Sequence, residues 1–128
     1  MDLLLDTHLL LWAASEPRRL SVAAEALIND RNNRPYFSAA SLWEIVIKQN
    51  LQRPDFEVDP HLLRRGLVEN GYLELPITAR HTSAVSHLPP LHKDPFDRIL
   101  VAQAECEGIA LLTSDDQVAQ YPGPIRKV

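Results

Sequence analysis

Residues 3–12 of the chain read Leu3-Leu4-Leu5-Asp6-Thr7-His8-Leu9-Leu10-Leu11-Trp12, with an acidic residue between two apolar runs. The first run is short and continuous, which predicts a strand buried on both faces, as in a parallel sheet. It ends at Asp6, and residues 7–14 predict a short helix. This stretch therefore predicts an α/β fold in which an acid stands directly after the first strand.

The rest of the chain continues the alternation of strand and helix. Further strands are predicted at residues 36–38, 72–75, 109–112 and 125–128, the last at a sheet edge. Helices are predicted at residues 22–31, 39–51, 60–69, 79–87 and 97–107, with a proline-rich loop at 88–95 before the last of them. Alternating elements indicate βαβ units. We therefore predict a three-layer α/β/α sandwich with a central, mostly parallel sheet, formed as a single domain by residues 1–128.

Composition limits the classes of protein to which the chain can belong. Of its 128 residues, 45% are hydrophobic and 23% charged, which is typical of a globular domain. The net charge of −4 argues against a protein that coats nucleic acid through its overall charge. No apolar run approaches the roughly 20 residues of a membrane span. Cys106 is the only cysteine, which excludes an internal disulfide and favours a reducing cytoplasm.

The predicted topology gathers four acids at one edge of the sheet. Asp6 follows the first strand, and Asp115 follows the strand at 109–112, so both lie at the carboxyl edge of parallel strands. Glu44 lies in the second turn of a helix that leaves a strand at that edge. Asp97 opens a helix that leads into the next parallel strand and must begin there. Ligands bind at this edge in open α/β folds.

A cluster of four carboxylates favours a divalent cation, because the charges otherwise repel one another and raise each other's pKa values. All-oxygen ligands select Mg²⁺ or Mn²⁺ rather than Zn²⁺. Such an ion lowers the pKa of a water molecule and offsets charge on phosphorus, which predicts hydrolysis of phosphodiester bonds. Whether one ion or two would bind is left open by the residues.

Each acid also has a purely structural interpretation. Asp6, Asp97 and Asp115 stand at helix starts, where a carboxylate stabilises the helix dipole by about 0.3–1 kcal/mol. Glu44 shares a helix stripe with Ser41 and Lys48, and its spacing to Lys48 is that of an ordinary surface ion pair. Asp97 differs, because apolar residues on its side of the helix predict that it points inward, where a carboxylate needs a partner.

Four segments of the sequence resemble the PIN-domain ribonucleases, and specifically the VapC toxins of bacterial type II toxin–antitoxin systems. They are residues 4–12 (LLDTHLLLW), 38–45 (SAASLWEI), 92–104 (HKDPFDRILVAQA) and 111–115 (LLTSD). Their order and spacing fit the family, and together they extend over essentially the whole chain. The resemblance implies a fold with a central parallel sheet and a magnesium- or manganese-dependent endoribonuclease activity. It also implies a cognate antitoxin that inhibits the enzyme, and a homodimer.

The resemblance assigns roles residue by residue. It matches the family's acidic quartet with Asp6, Glu44, Asp97 and Asp115, and two hydroxyl positions beside it with Thr7 and Thr113. Asp116 adjoins Asp115 and could be the fourth acid instead, although the motif alignment favours Asp115.

Two further residues of the third segment are candidates for supporting roles. Asp94 is expected to order the loop or cap the helix, and Arg98 to reach either the metal rim or a phosphate. The alternative for Arg98, a solvated surface arginine without a role in the site, is the simpler interpretation of the sequence.

Two other functions fit the same residues. The site could cleave DNA, as in flap-type nucleases related to PIN domains, although the chain has no obvious arch or helical clamp. The chain could also be a degenerate PIN domain that only binds a partner, but none of the four acids is missing. We therefore expect an RNA-cleaving enzyme.

Overall fold

The computed structural model describes residues 1–128 and contains one five-stranded sheet. The strands are β1 (Asp2–Leu5), β2 (Arg34–Ser38), β3 (Leu73–Leu75), β4 (Ala110–Thr113) and β5 (Ile125–Lys127). Their order across the sheet is β3-β2-β1-β4-β5, and all four pairings are parallel. The predicted mostly parallel sheet is confirmed, and β1 lies at its centre.

Seven α-helices connect or flank the strands. They are α1 (Thr7–Ser15), α2 (Val22–Asn29), α3 (Ala39–Asn50), α4 (Pro60–Glu69), α5 (Ala79–Ala84), α6 (Pro95–Glu107) and α7 (Asp116–Ala119). None of them combines the length and the apolar character that crossing a membrane would require.

The sheet has a separate hydrophobic core on each face, which gives the predicted three layers. Leu3 and Leu5 pack into one core with residues of α1, α3 and α4. Leu4, between them, packs into the other core with residues of α6. Successive side chains of a strand point to opposite faces, so a central strand covered on both sides must be apolar at every position. This is why residues 3–5 form an uninterrupted apolar run.

The sixth helix begins earlier than the sequence predicted. Residues up to Pro95 were predicted to be loop, but the helix starts at Pro95 and Asp97 is its third residue. The cause is local: Asp94 Oδ1 accepts hydrogen bonds from the backbone N–H groups of Phe96 (2.8 Å) and Asp97 (3.2 Å). Proline is favoured at the first helical position because its fixed φ suits the helix and its missing N–H is not needed there.

Smaller differences occur at other helix ends. The second helix stops at Asn29 rather than at residue 31, and the fifth stops at Ala84 and continues as a 3-10 turn over Val85–His87. The sixth helix ends as predicted at Gly108, whose φ of 68° lies in the left-handed region that glycine adopts without strain.

Candidate active site

Asp6 connects the centre of the sheet to the first helix. It follows β1, and its backbone N–H donates to Leu112 of β4. Its Oδ1 caps α1 by accepting from the N–H of Leu9 at 2.9 Å, and its Oδ2 accepts from the Thr113 hydroxyl at 2.6 Å. Burial raises the pKa of Asp6 above its ordinary value, although the Thr113 hydrogen bond acts in the opposite direction. Asp6 is thus a buried carboxylate held at both oxygens.

Glu44 lies on α3 and is only 2% exposed. The Thr7 hydroxyl donates to its Oε1 at 2.6 Å and also lies 2.9 Å from the Ser41 hydroxyl. The Lys48 ammonium donates to Oε2 of Glu44 and lies 3.5 Å from Oδ2 of Asp94. Glu44 therefore does not belong to a solvated helix face, although its spacing to Lys48 is compatible with one.

Asp97 lies in the first turn of α6, half-buried against His92. The Nε2 atom of His92 lies 2.8 Å from Oδ2 of Asp97. Burial raises the pKa of Asp97 to about 7, and the negative charges of Asp94 and Glu44 contribute to the increase. The hydrogen bond and charge of His92 act in the opposite direction. The Asp97 carboxyl is therefore in an environment with too little positive charge to stabilise its ionised form fully.

Asp115 and Asp116 are placed differently despite being neighbours. Oδ1 of Asp115 caps α7 by accepting from the backbone N–H groups of Gln117 (2.7 Å) and Val118 (3.4 Å). Asp116 pairs with Lys127 of β5, and its side chain is 78% exposed. Only Asp115 lies with the other acids.

A polar cavity of about 410 Å³ brings the candidate acids together. Its lining includes four acids from four separate segments, Asp6, Glu44, Asp97 and Asp115. Thr7, Asp55 and Asp94 also line it, whereas Thr113 reaches it through Asp6. Asp116 and Arg98 are not part of the lining. The carboxyl edge of the sheet thus collects the acids that the topology predicted there.

The four acids differ in how many of their oxygens the protein already uses. Asp6 and Glu44 receive a hydrogen bond at both carboxylate oxygens. No protein hydrogen bond reaches Oδ1 of Asp97 or Oδ2 of Asp115. These two oxygens are the unused acceptors of the quartet.

Arg98 points away from the acids and supports a neighbouring loop. Its guanidinium donates to the backbone oxygens of Val85 (3.2 Å) and Pro89 (3.1 Å) and to the Tyr121 hydroxyl (3.1 Å). It also lies 3.4 Å from the backbone oxygen of His92. Arg98 therefore holds the segment that carries His92 in place. This role differs from the one expected from the sequence, which was a direct contact with the metal rim or with a phosphate.

The sequence matches the family model of the PIN domain over residues 3–124, which is almost the entire chain. The chain belongs to the PIN domain family. This PIN domain gave no significant match among curated proteins.

Its fold also matches chains in three solved structures. The first is the crystal structure of VapBC2 from Rickettsia felis bound to a DNA fragment from their promoter, with a TM-score of 0.73 and 14% identity. The second is DNA-bound VapBC from Salmonella typhimurium, with a TM-score of 0.66 and 12% identity. The third is VapBC-1 from nontypeable Haemophilus influenzae, with a TM-score of 0.62 and 15% identity. Each match covers at least 99% of this chain and 98% of the other.

Three side chains of this PIN domain contact the candidate acids or Thr7, although the sequence had not assigned them to the site. Ser41 is fully buried beside Thr7, Lys48 lies between two carboxylates, and His92 contacts Asp97. Ser41 and Lys48 share the stripe of Glu44 on α3, so an inward orientation of that stripe would have identified both. His92 lies in a proline-rich loop without a regular repeat, and its approach to Asp97 depends on the tertiary structure.

Proposed function

We propose that this PIN domain is a magnesium- or manganese-dependent endoribonuclease and the toxin of a type II toxin–antitoxin pair. The observation that carries the proposal is one polar cavity lined by six carboxylates, among which Asp6, Glu44, Asp97 and Asp115 come from four separate segments of the chain. Helix capping does not explain the position of Glu44, because Glu44 lies inside α3 and not at its start. Its carboxylate is nevertheless buried at this cavity.

The donor set fits a hard divalent cation. The candidate ligands are carboxylate oxygens, and the pKa values of Asp6 and Asp97 are raised by burial, so positive charge would stabilise their ionised forms. Oxygen ligands favour Mg²⁺ or Mn²⁺ over Zn²⁺. When bound, the ion would act as a Lewis acid toward the phosphate and lower the pKa of a water molecule.

The chain's own residues would hold and orient the participants. We assign the ion to Asp6, Glu44, Asp97 and Asp115. The hydroxyls of Thr113 and Thr7 fix the carboxylates of Asp6 and Glu44 at 2.6 Å each, which limits their rotation. Arg19 lines the rim of the cavity and is the candidate contact for an RNA phosphate. The cavity volume of about 410 Å³ is typical of ligand sites.

The toxin role rests on the family resemblance and on the shared fold with VapBC structures. A toxin role implies an antitoxin partner that blocks the cavity.

We also propose a homodimer, because Trp43 is 59% exposed beside a second, largely apolar cavity of about 440 Å³. Exposed aromatic residues of this kind are enriched in protein–protein interfaces.

Cleavage assays with matched variants test the proposed activity. We expect the purified protein to cleave a single-stranded RNA in Mg²⁺ or Mn²⁺ and to be inactive in excess chelator. Asp6→Asn should lower the cleavage rate at least about 100-fold, since a lost ligand removes several kcal/mol of transition-state stabilisation. Asparagine keeps an acceptor for the Leu9 N–H, so the fold should persist. Asp116→Asn, at the exposed neighbouring acid, should cleave at the wild-type rate.

Three outcomes would contradict the proposal. Undiminished cleavage by Asp6→Asn, or by the wild type in chelator, would exclude a metal-dependent reaction at this cavity. Cleavage of the matched DNA strand in preference to the RNA would make the protein a DNA nuclease. Absence of any Mg²⁺ or Mn²⁺ binding in a calorimetric titration would favour a binding module without catalytic activity.

A further inference from the structure

Lys48 is a cationic side chain within the acidic cavity. Arg19 also lines the cavity, but its guanidinium lies 4.7 Å from the ring centre of Trp12 and 3.9 Å from Glu16. Lys48 instead contacts two of the carboxylates that line the cavity, Glu44 and Asp94. It therefore compensates part of the negative charge before any ion binds.

Packing holds the Lys48 ammonium in this position. It lies 5.1 Å from the ring centre of Phe56 and 5.9 Å from that of Phe96, and its side chain is only 18% exposed. Its two carboxylate partners come from different elements, Glu44 from α3 and Asp94 from the start of α6. A lysine with aromatic rings and carboxylates around it keeps its charge in one place, unlike a solvated surface lysine.

Lys48 contacts only two of the carboxylates that line the cavity. Glu44 and Asp94 each give one oxygen to the ammonium, and the other oxygen of Asp94 accepts the two N–H groups that it caps. Among the four candidate ligands, the acceptors that the protein leaves unused are Oδ1 of Asp97 and Oδ2 of Asp115, and neither contacts Lys48.

We propose that Lys48 takes the place of a second divalent cation, so that this PIN domain binds a single ion in its acidic cavity. In two-metal nuclease sites the ions lie about 3.5–4 Å apart and are held by neighbouring carboxylates. Lys48 provides a fixed positive charge between two such carboxylates and repels a second ion there. The inference rests on the proposed function, since it concerns the same metal site.

The number of bound ions tests the inference without an activity measurement. Mn²⁺ is titrated into the RNA-free, full-length protein, and bound ions are counted by calorimetry and from the electron paramagnetic resonance signal of free Mn²⁺. We expect one ion on the wild type and one on Lys48→Arg, which keeps the charge. Lys48→Met keeps an unbranched chain against the two phenylalanines but removes the charge, and we expect it to bind two ions.

Circular dichroism establishes that each variant is folded, and Lys48→Gln provides a second neutral variant if methionine is not tolerated. Two ions on the wild type, or a single ion on a folded neutral variant, would overturn the inference and leave the proposed function standing. Absence of any ion on the wild type would overturn both. One ion on the wild type and on Lys48→Arg, with two on a neutral variant, would support both.

Discussion

The pKa of Asp97 reveals how the site balances charge at the level of single residues. Burial raises this pKa from 3.8 to about 7, and the charges of Asp94 and Glu44 add to the increase despite the hydrogen bond from His92. A carboxyl that resists ionisation near neutral pH is stabilised when a cation is supplied. Asp97 is therefore expected to suit a metal ion but to lower the stability of the metal-free protein at neutral pH, where its carboxyl begins to ionise.

This pKa gives the pH dependence of stability a definite sign. Because the folded pKa lies above the unfolded one, the folded state holds the Asp97 proton more tightly. The associated stabilisation is complete below about pH 4 and is lost as the pH rises through about 7, amounting to at most about 4 kcal/mol. We therefore expect metal-free Asp97→Asn to lose less stability than the wild type between about pH 5 and pH 8.

Urea unfolding in chelator at the two pH values measures this difference. Asp6, whose pKa is also raised by burial, is present in both proteins, so the comparison isolates Asp97. An equal loss of stability in the wild type and in Asp97→Asn would contradict the assigned environment of Asp97. Addition of Mg²⁺ at the higher pH should restore stability to the wild type, because a ligand that binds only the folded state stabilises it.

At the level of elements, a buried glutamine links the helix of Glu44 to the helix of Asp97. Gln103 of α6 is fully buried. Its Oε1 accepts a hydrogen bond at 2.6 Å from the hydroxyl of Ser38, the residue directly before α3. Its amide nitrogen donates to the backbone oxygen of Pro76 at 3.3 Å. The Ser38 hydroxyl in turn caps α3 by accepting from Ala40. Gln103 thus sets the start of α3 relative to α6.

Gln103→Leu should lower the free energy of unfolding by about 1–3 kcal/mol, because it leaves the Ser38 hydroxyl and the Pro76 oxygen without their buried partner. Gln120→Leu, at an exposed position, is the matched control and should change stability by no more than about 0.5 kcal/mol. Chemical denaturation of both variants measures the two changes. Equal stabilities of the two variants would mean that the buried amide does not hold the helices together.

The sequence predicted these elements more reliably than their contacts. Strands and helices were identified because their apolar patterns and capping residues are local. The start of α6 was missed, because Asp94 and Pro95 were assigned to a proline-rich loop when they form a cap and first helical residue. The burial of Glu44 was missed for a different reason. Its spacing to Lys48 fits an exposed ion pair, and only the packing of α3 against α6 shows that the pair is enclosed.

At the level of the whole molecule, a parallel sheet explains why acids far apart in sequence meet. Every strand ends at the same edge, so residues that follow β1 and β4 become neighbours, and helices that begin at that edge add Glu44 and Asp97. This convergence could be predicted from the alternation of elements alone. The unused oxygens of Asp97 and Asp115 and the position of the Lys48 ammonium could not be predicted in this way, because they depend on side-chain rotamers in the folded protein.

The position of a bound ion tests the central claim most directly. A crystal of the RNA-free protein grown with Mn²⁺ is measured at a wavelength where manganese scatters anomalously, so that the ion is located without assumptions about its ligands. We predict an anomalous peak in the cavity, bound by carboxylate oxygens of the four assigned residues, Asp6, Glu44, Asp97 and Asp115. A peak held by the imidazole of His92, a peak outside the cavity, or no peak at saturating Mn²⁺ would contradict the claim.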